Sequence, residues 1–152
     1  MTKKIIQLLS IILAICFICI GAAGAASSED EAIQVMENFA KAISTKNSEL
    51  LSSLYWHSPK TSYFAPSKDG AFLTQGWLEG GPGVDISLSL HHPQATILSD
   101  NVAVLTGYHT AVVTDPETKQ QSTDLIRQTL VVQKIGGKWL IVHEHASFLP
   151  TK

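Results

Sequence analysis

The residues best suited to chemistry cluster near the carboxyl end of the chain. His143 and His145 are two positions apart, in a run that also contains Glu144 and Ser147. Alternate residues of a strand point to the same face, so both imidazoles could contact one ligand or one metal ion. A metal site needs a third ligand, and the candidates are His91, His92 and His109. Nothing in the sequence brings these near the pair, so we predict hydrogen-bonded histidines, with no metal and no other cofactor.

Arg127 is the only arginine of the chain and lies in an apolar stretch. A guanidinium is costly to bury there without a carboxylate partner, which Asp124, Glu144 or an acidic ligand would supply. Two interpretations remain open. Arg127 either forms a structural ion pair, within the chain or across a dimer, or it anchors a ligand.

A small-molecule enzyme working by acid–base catalysis would need an imidazole or carboxylate in an apolar cavity, and a donor for developing negative charge. Asp85, His109 and Glu144 are the candidate bases. No pair of them has the spacing of a recognised catalytic motif, so no catalytic residue is assigned. Aromatic residues near a cavity more often fill a core than bind a ligand. The residues predicted to bind a ligand are Tyr55, Trp56, Tyr63, Trp77, Tyr108, Arg127, His143 and His145.

These residues must be positioned by a long β-hairpin. Leu125 to Ile135 is rich in Leu, Ile, Val and Thr, and Lys138 to Phe148 resumes extended character. Gly136 and Gly137 between them tolerate the positive φ of a tight turn. Alternation places Trp139, Ile141, His143, His145 and Ser147 on one face, and Leu140, Val142, Glu144, Ala146 and Phe148 on the other.

Both faces of this predicted sheet carry large apolar side chains. The strand from Val102 to Val113 has the same property, whereas a sheet with one solvated face would alternate between apolar and polar residues. We therefore expect both faces to be covered. Helices of the same chain would cover one face, and a second copy of the sheet the other.

Helices precede the strands. Acidic residues after Ser27 and Ser28, followed by apolar residues at helical spacing, predict a helix from Glu29 to Ser44. Ser48 is the expected cap of a short second helix. Strand-like segments then run from Ile86 to the end of the hairpin. This order predicts an α+β fold, in which a curved antiparallel sheet wraps around amino-terminal helices.

The first 25 residues have the layout of a secretory signal peptide. Lys3 and Lys4 precede an uncharged apolar run, which ends in small residues near Ala23 and Ala25. We expect residues 1–25 to be a signal peptide and residues 26–152 to be one exported domain, periplasmic or secreted. The uncharged run is short for a membrane span, so no stable membrane association is expected after cleavage.

Cleavage would remove both cysteines, Cys16 and Cys19, so no disulfide is expected. It would also remove two lysines and leave 13 acidic residues, for a net charge of about −4. No basic run survives in this domain. We therefore do not expect nucleic acid as a partner.

The order of elements and the hairpin together resemble a known family. The pattern is Arg127-x-Thr129, then Gly137-Lys138-Trp139-x-Ile141-Val142-His143-x-His145-x-Ser147. It resembles the nuclear transport factor 2-like superfamily, particularly its SnoaL-like branch, and is similar to the association domain of calcium/calmodulin-dependent protein kinase II. The resemblance implies a cone-shaped α+β fold with a cavity between sheet and helices. It also implies homodimers or larger rings formed through the sheet.

Fold does not transfer activity, so two functional hypotheses follow. The first is an exported module that binds a small apolar or weakly polar molecule or assembles with its own copies, without catalysis. The alternative is a small-molecule isomerase, dehydratase or hydrolase using acid–base catalysis. An ionisable side chain facing an apolar pocket would favour the enzyme.

Overall fold

The fold was obtained as a computed structural model that describes residues 27–64 and 85–150. The predicted signal peptide, residues 1–25, and Trp77 lie outside these ranges. The described elements are helices α1 (Ser28–Ser44) and α2 (Ser48–Ser53) and strands β1 (Ser62–Phe64), β2 (Asp85–Ser99), β3 (Val102–Thr114), β4 (Gln121–Ile135) and β5 (Lys138–Phe148). Among the described helices, neither has the length and apolar character needed to cross a membrane.

Helix α1 begins with a reciprocal cap. The Ser27 hydroxyl accepts a hydrogen bond from the Asp30 amide at 3.1 Å, and the Asp30 carboxylate accepts one from the Ser27 amide at 3.2 Å. The predicted helix is confirmed to within one residue. Helix α2 is capped one residue earlier than predicted, because the Asn47 side chain, rather than Ser48, accepts from the Leu50 amide at 2.8 Å.

The strands form one curved sheet in the order β1-β5-β4-β3-β2. The four long strands are antiparallel, as predicted, and Gly136 and Gly137 form the tight turn with φ of 59° and 82°. Strand β1 is parallel to β5, so the sheet is mixed and not purely antiparallel. The cause lies just before β1, where Ile141 donates to Leu54 O and accepts from the Trp56 amide. These bonds place the residues before β1 next to β5, and the chain then continues into β1 in the same direction as β5.

The predicted alternation along β5 is wrong beyond Ile141. Val132 pairs with Ile141, but the adjacent Val131 pairs with His143, so Val142 is the extra residue of a bulge. A bulge shifts the alternation by one position. Trp139 and Ile141 are therefore buried on the same face as Glu144, Ala146 and Phe148, while His143, His145 and Ser147 lie on the opposite face.

Helix α1 covers one side of the sheet, which we call the inner face. Its buried side chains are Ala32, Val35, Met36, Phe39, Ala40, Ala42 and Ile43. They pack against Leu105, Leu130 and Ile141, each fully buried. A β carbon at Gly107 would lie 2.8 Å from Met36 Sδ, so a glycine there permits the close approach of helix and sheet. Coverage of one face by helices is confirmed.

The opposite side, the outer face, carries Tyr108, Arg127, Thr129, His145 and Phe64. Tyr108 is 47% exposed and Phe64 46% exposed. Within the described residues no element packs over this face. Whether a second copy covers it stays a prediction.

Candidate functional site

The inner face holds a cavity of about 140 Å³ between α1 and one end of the sheet. Its walls are almost entirely apolar. The residues lining it are Phe39, Ile43, Ile86, Leu88, His109, Ala111, Val113, Asp124, Ile126, Gln128, Glu144, Ala146 and Phe148. An apolar cavity of about 150 Å³ in another protein is large enough for benzene, so this one suits a molecule of about that size.

A chain of hydrogen bonds forms the polar part of the cavity wall. Tyr55 donates its hydroxyl proton to Glu144 Oε2. Gln128 Nε2 donates to Glu144 Oε1 at 2.7 Å, and Gln128 Oε1 lies 2.8 Å from His109 Nε2. Strands β3, β4 and β5 supply His109, Gln128 and Glu144, and Tyr55 comes from the segment after α2. The register sets Gln128 opposite Gly107 and Ala146, so His109 and Glu144 are its diagonal neighbours, each two residues along the adjacent strand.

With Glu144 ionised, these bonds determine the tautomer of His109. Because the Gln128 amide nitrogen donates to Glu144, its oxygen must accept, and His109 Nε2 must carry the proton. In a neutral imidazole the other nitrogen, Nδ1, then has a free lone pair. His109 is 1% exposed, and Nδ1 has no hydrogen-bond partner among the described residues. The cavity wall therefore includes one unpaired acceptor.

Burial controls the charge states of the residues in this hydrogen-bond network. It lowers the pKa of His109, outweighing the hydrogen bond to Gln128, and so favours the neutral ring. Burial raises the pKa of Glu144, while hydrogen bonds from Tyr55 and Gln128 act in the opposite direction. The pKa of Tyr55 lies well above its usual range because of burial and the adjacent Glu144, which favours the protonated phenol.

The predicted ligand-binding residues lie elsewhere. None of the seven in the described ranges lines the inner cavity. Tyr55 reaches it only through Glu144, and the half-buried Tyr63 packs on Tyr55 with ring centroids 5.1 Å apart. The half-buried Trp56 bonds through its backbone to Ile141. Tyr108, Arg127, His143 and His145 lie on the outer face.

His143 and His145 are occupied by contacts with neighbouring side chains. His143 Nδ1 is 2.7 Å from the Ser62 hydroxyl, and the ring of Phe64 packs against both His143 and His145. His91 lies 2.9 Å from the Thr110 hydroxyl. Among the described residues, no three His, Cys, Asp or Glu side chains are grouped as a metal site.

The two other charged candidates, Asp85 and Arg127, also lie away from the inner cavity. Asp85 pairs with Lys46 at the edge of the sheet, and this pairing lowers the Asp85 pKa, so it is unsuited as a base near neutral pH. Arg127 has no carboxylate partner among the described residues, because Glu144 and Asp124 face the inner cavity. Neither Glu144 nor Asp124 therefore forms the predicted intrachain ion pair with Arg127. Arg127 Nε instead donates to the Ser147 hydroxyl at 2.8 Å.

Gln128 is the functional residue that sequence analysis missed. It connects His109 to Glu144, and it is 3% exposed. A signal for it existed. Gln128 alternates with Ile126, Leu130 and Val132, so a polar residue occupies a core position in an otherwise apolar series.

Comparisons with known proteins agree with this architecture. A family model described as a SnoaL-like domain matches residues 32–151. A search of curated proteins found no significant match.

Solved structures with the same fold have low sequence identity to the chain. A candidate calcium/calmodulin-dependent protein kinase II association domain from Xanthomonas campestris is 21% identical, with a TM-score of 0.69 over 87% of this chain and 94% of that one. A candidate dehydratase of the nuclear transport factor 2-like family from Streptomyces avermitilis is 15% identical, with a TM-score of 0.67 over 80% and 95%. The S. rosetta calcium/calmodulin-dependent protein kinase II hub is 17% identical, with a TM-score of 0.66 over 82% and 99%.

Proposed function

Since the chain belongs to the SnoaL-like domain family, whose fold leaves function open, we propose that it binds a small, largely apolar molecule in the inner cavity. The observation that carries this proposal is the unpaired Nδ1 of His109 in an apolar wall. A buried acceptor without a partner is costly, and a ligand hydroxyl or N–H group would satisfy it. The ligand is therefore an apolar molecule with one hydrogen-bond donor.

Phenol and toluene test this proposal, because they have similar size and differ in one donor. Affinities measured by isothermal titration for the wild type and for His109→Leu give the ratio of phenol to toluene binding. We expect this ratio to fall roughly fivefold in His109→Leu, the effect of one hydrogen bond. Ile86→Val is the matched control on an apolar wall and should leave the ratio unchanged. An unchanged ratio in His109→Leu, with near-ultraviolet circular dichroism confirming a native fold, would contradict the proposal.

Acid–base catalysis is the second candidate, and it is favoured by the same nitrogen. His109 Nδ1 would accept a proton from a bound carbon acid, and Gln128 would hold the resulting imidazolium through its carbonyl oxygen. Glu144 would then offset the new positive charge through the Gln128 amide. The tautomer needed for this role is the one that the hydrogen bonds to Gln128 favour.

Exchange of the α protons of cyclopentanone with D2O separates an enzyme from a binding protein. An enzyme should accelerate exchange, and His109→Leu should lose about 100-fold of that rate. Proton nuclear magnetic resonance measures the rate directly. Equal rates with and without the wild-type protein would leave only the binding function.

Assembly through the outer face is part of the same proposal. Within the described residues no helix covers the outer face, whose centre carries the paired apolar side chains of Val104 and Val131, and this supports a contact with a second copy. The structural neighbours described as association and hub domains share this fold. We expect a homodimer or a larger ring.

A further inference from the structure

A second depression, of about 420 Å³, lies on the outer face, on the opposite side of the sheet from the His109 cavity. Strand β2 forms one wall. His91 pairs with Tyr108 and Gln94 pairs with Thr106, so His92 and Pro93 together oppose Gly107. His92 has a φ of 50°, and this two-residue bulge bends β2 beside the tyrosine.

The depression is polar and contains one permanent charge. Its side chains are those of His92, Gln94, Thr106, Tyr108, Arg127 and Thr129. No carboxylate is present among these residues. Thr106 pairs with Thr129 and Tyr108 pairs with Arg127 across β3 and β4, so two hydroxyls and an aromatic ring line the same depression as Arg127.

One hydrogen bond holds the Arg127 side chain in place. The Ser147 hydroxyl holds its Nε, which leaves the two terminal nitrogens without an acceptor among the described residues. Those two nitrogens form a planar fork that matches both oxygens of a carboxylate. A dianion such as phosphate would exceed the single positive charge, whereas a monocarboxylate would match it.

We propose that the depression around Arg127 is a binding site for a small organic monocarboxylate, with an apolar part that packs on the Tyr108 ring. The carboxylate binds end-on to the Arg127 fork, and the Thr106 and Thr129 hydroxyls donate to its exposed lone pairs. This site is separate from the inner cavity and does not depend on the function proposed for His109.

The sole arginine makes the test direct, because its Nε–H gives a single arginine side-chain signal in ¹⁵N nuclear magnetic resonance. Benzoate is the probe, and benzamide is its neutral counterpart of equal shape. At constant ionic strength, benzoate should shift the Arg127 signal in a saturable way and benzamide should not. Equal shifts with the two probes, or no saturable shift with benzoate, would overturn the proposal.

Variants and a competing anion complete the test. Isothermal titration should show benzoate binding at least about tenfold weaker in Arg127→Met, and an intermediate loss in Arg127→Lys, which keeps the charge without the fork. Arg127 is exposed, so Arg127→Met should keep the wild-type circular dichroism spectrum. Inorganic phosphate that binds more tightly than benzoate would overturn the monocarboxylate assignment, as would wild-type affinity in Arg127→Met.

Discussion

Donor and acceptor capacity determines the proton positions along Tyr55, Glu144, Gln128 and His109. Glu144 receives one proton donor on each oxygen, as an ionised carboxylate can. Gln128 then transmits this arrangement to His109 by presenting its oxygen. A proton on Glu144 would instead favour the flipped amide, which would reverse the tautomer of the imidazole.

The tautomer of His109 can be observed directly. We predict a neutral ring at neutral pH, with the proton on Nε2 and none on Nδ1, because burial lowers the pKa and Gln128 accepts from Nε2. Long-range ¹H–¹⁵N correlation spectra distinguish the two tautomers. Gln128→Leu removes the acceptor of the His109 Nε2 proton, so this variant should show a mixture of the two tautomers or the opposite one. A proton on Nδ1 in the wild type would contradict the assigned network.

Glu144 gives a prediction about pH. Its pKa is raised above 4.5 by burial, so the folded chain holds this proton to higher pH than the unfolded chain does. The contribution of this proton to the free energy of unfolding is fully present below pH 4.5 and is lost as pH rises through the raised pKa. Glu144→Gln removes this dependence.

Urea unfolding of both forms between about pH 4 and pH 8 measures the effect. The free energy of unfolding of Glu144→Gln, relative to wild type, should increase with pH. His109 is present in both forms, so its opposite contribution largely cancels in the difference. A difference that stays constant across this range would show that the Glu144 pKa is not raised.

At the scale of elements, the bulge at Val142 decides which side chains face the cavity. Deleting Val142 would make the pairing regular, with Ile141 and Glu144 both still on the inner face. Deleting His145 would instead move Ala146 and Phe148 to the outer face. We predict that the first deletion costs far less stability than the second, as measured by thermal unfolding. Equal losses would mean that the bulge has another role.

Close approach of α1 to β3 gives a second prediction at this scale. Gly107→Ala would place a methyl group against Met36 Sδ, at 2.8 Å, and against Leu90 Cδ1, at 3.2 Å. Both neighbours are flexible side chains, so we expect a loss of about 1–2 kcal/mol in the free energy of unfolding. Urea denaturation measures it. Thr106→Ala, on the exposed neighbouring position, is the control and should lose less.

The elements were predictable where the sequence carries a periodic signal. The α1 stripe through Met36 and Phe39 and the turn at Gly136 and Gly137 gave correct predictions. The bulge was not predictable, because Val142 is a β-branched residue that fits a regular strand. One unrecognised extra residue was enough to place His143 and His145 on the wrong side relative to Trp139. Two of the three candidate bases, His109 and Glu144, line the inner cavity, whereas Asp85 does not, and the connection of the two through Gln128 depends on cross-strand register.

At the scale of the whole molecule, we predict self-association through the outer face. Val131 lies half-buried in the centre of this face, paired with Val104 and His143. Val131→Glu should convert the oligomer to a folded monomer, because a charge would be buried in the contact. Native mass spectrometry measures the subunit number, and Gln120→Glu in an exposed loop is the matched charge control. A monomeric wild type at micromolar concentration would contradict assembly.

Native mass spectra of protein from its own host also test whether residues 1–25 are removed. We propose that residues 1–25 direct export and are removed, so the subunit mass should correspond to residues 26–152. A subunit that retains the amino-terminal segment would contradict cleavage at this position.

The most direct measurement of the central claim is the ¹⁵N signal of His109 Nδ1 during titration with phenol. We predict that this signal moves toward the value of a hydrogen-bonded acceptor as phenol saturates the cavity, and that toluene at the same occupancy leaves it nearly unchanged. If phenol binds while the Nδ1 signal does not move, the inner cavity does not use His109 to hold its ligand.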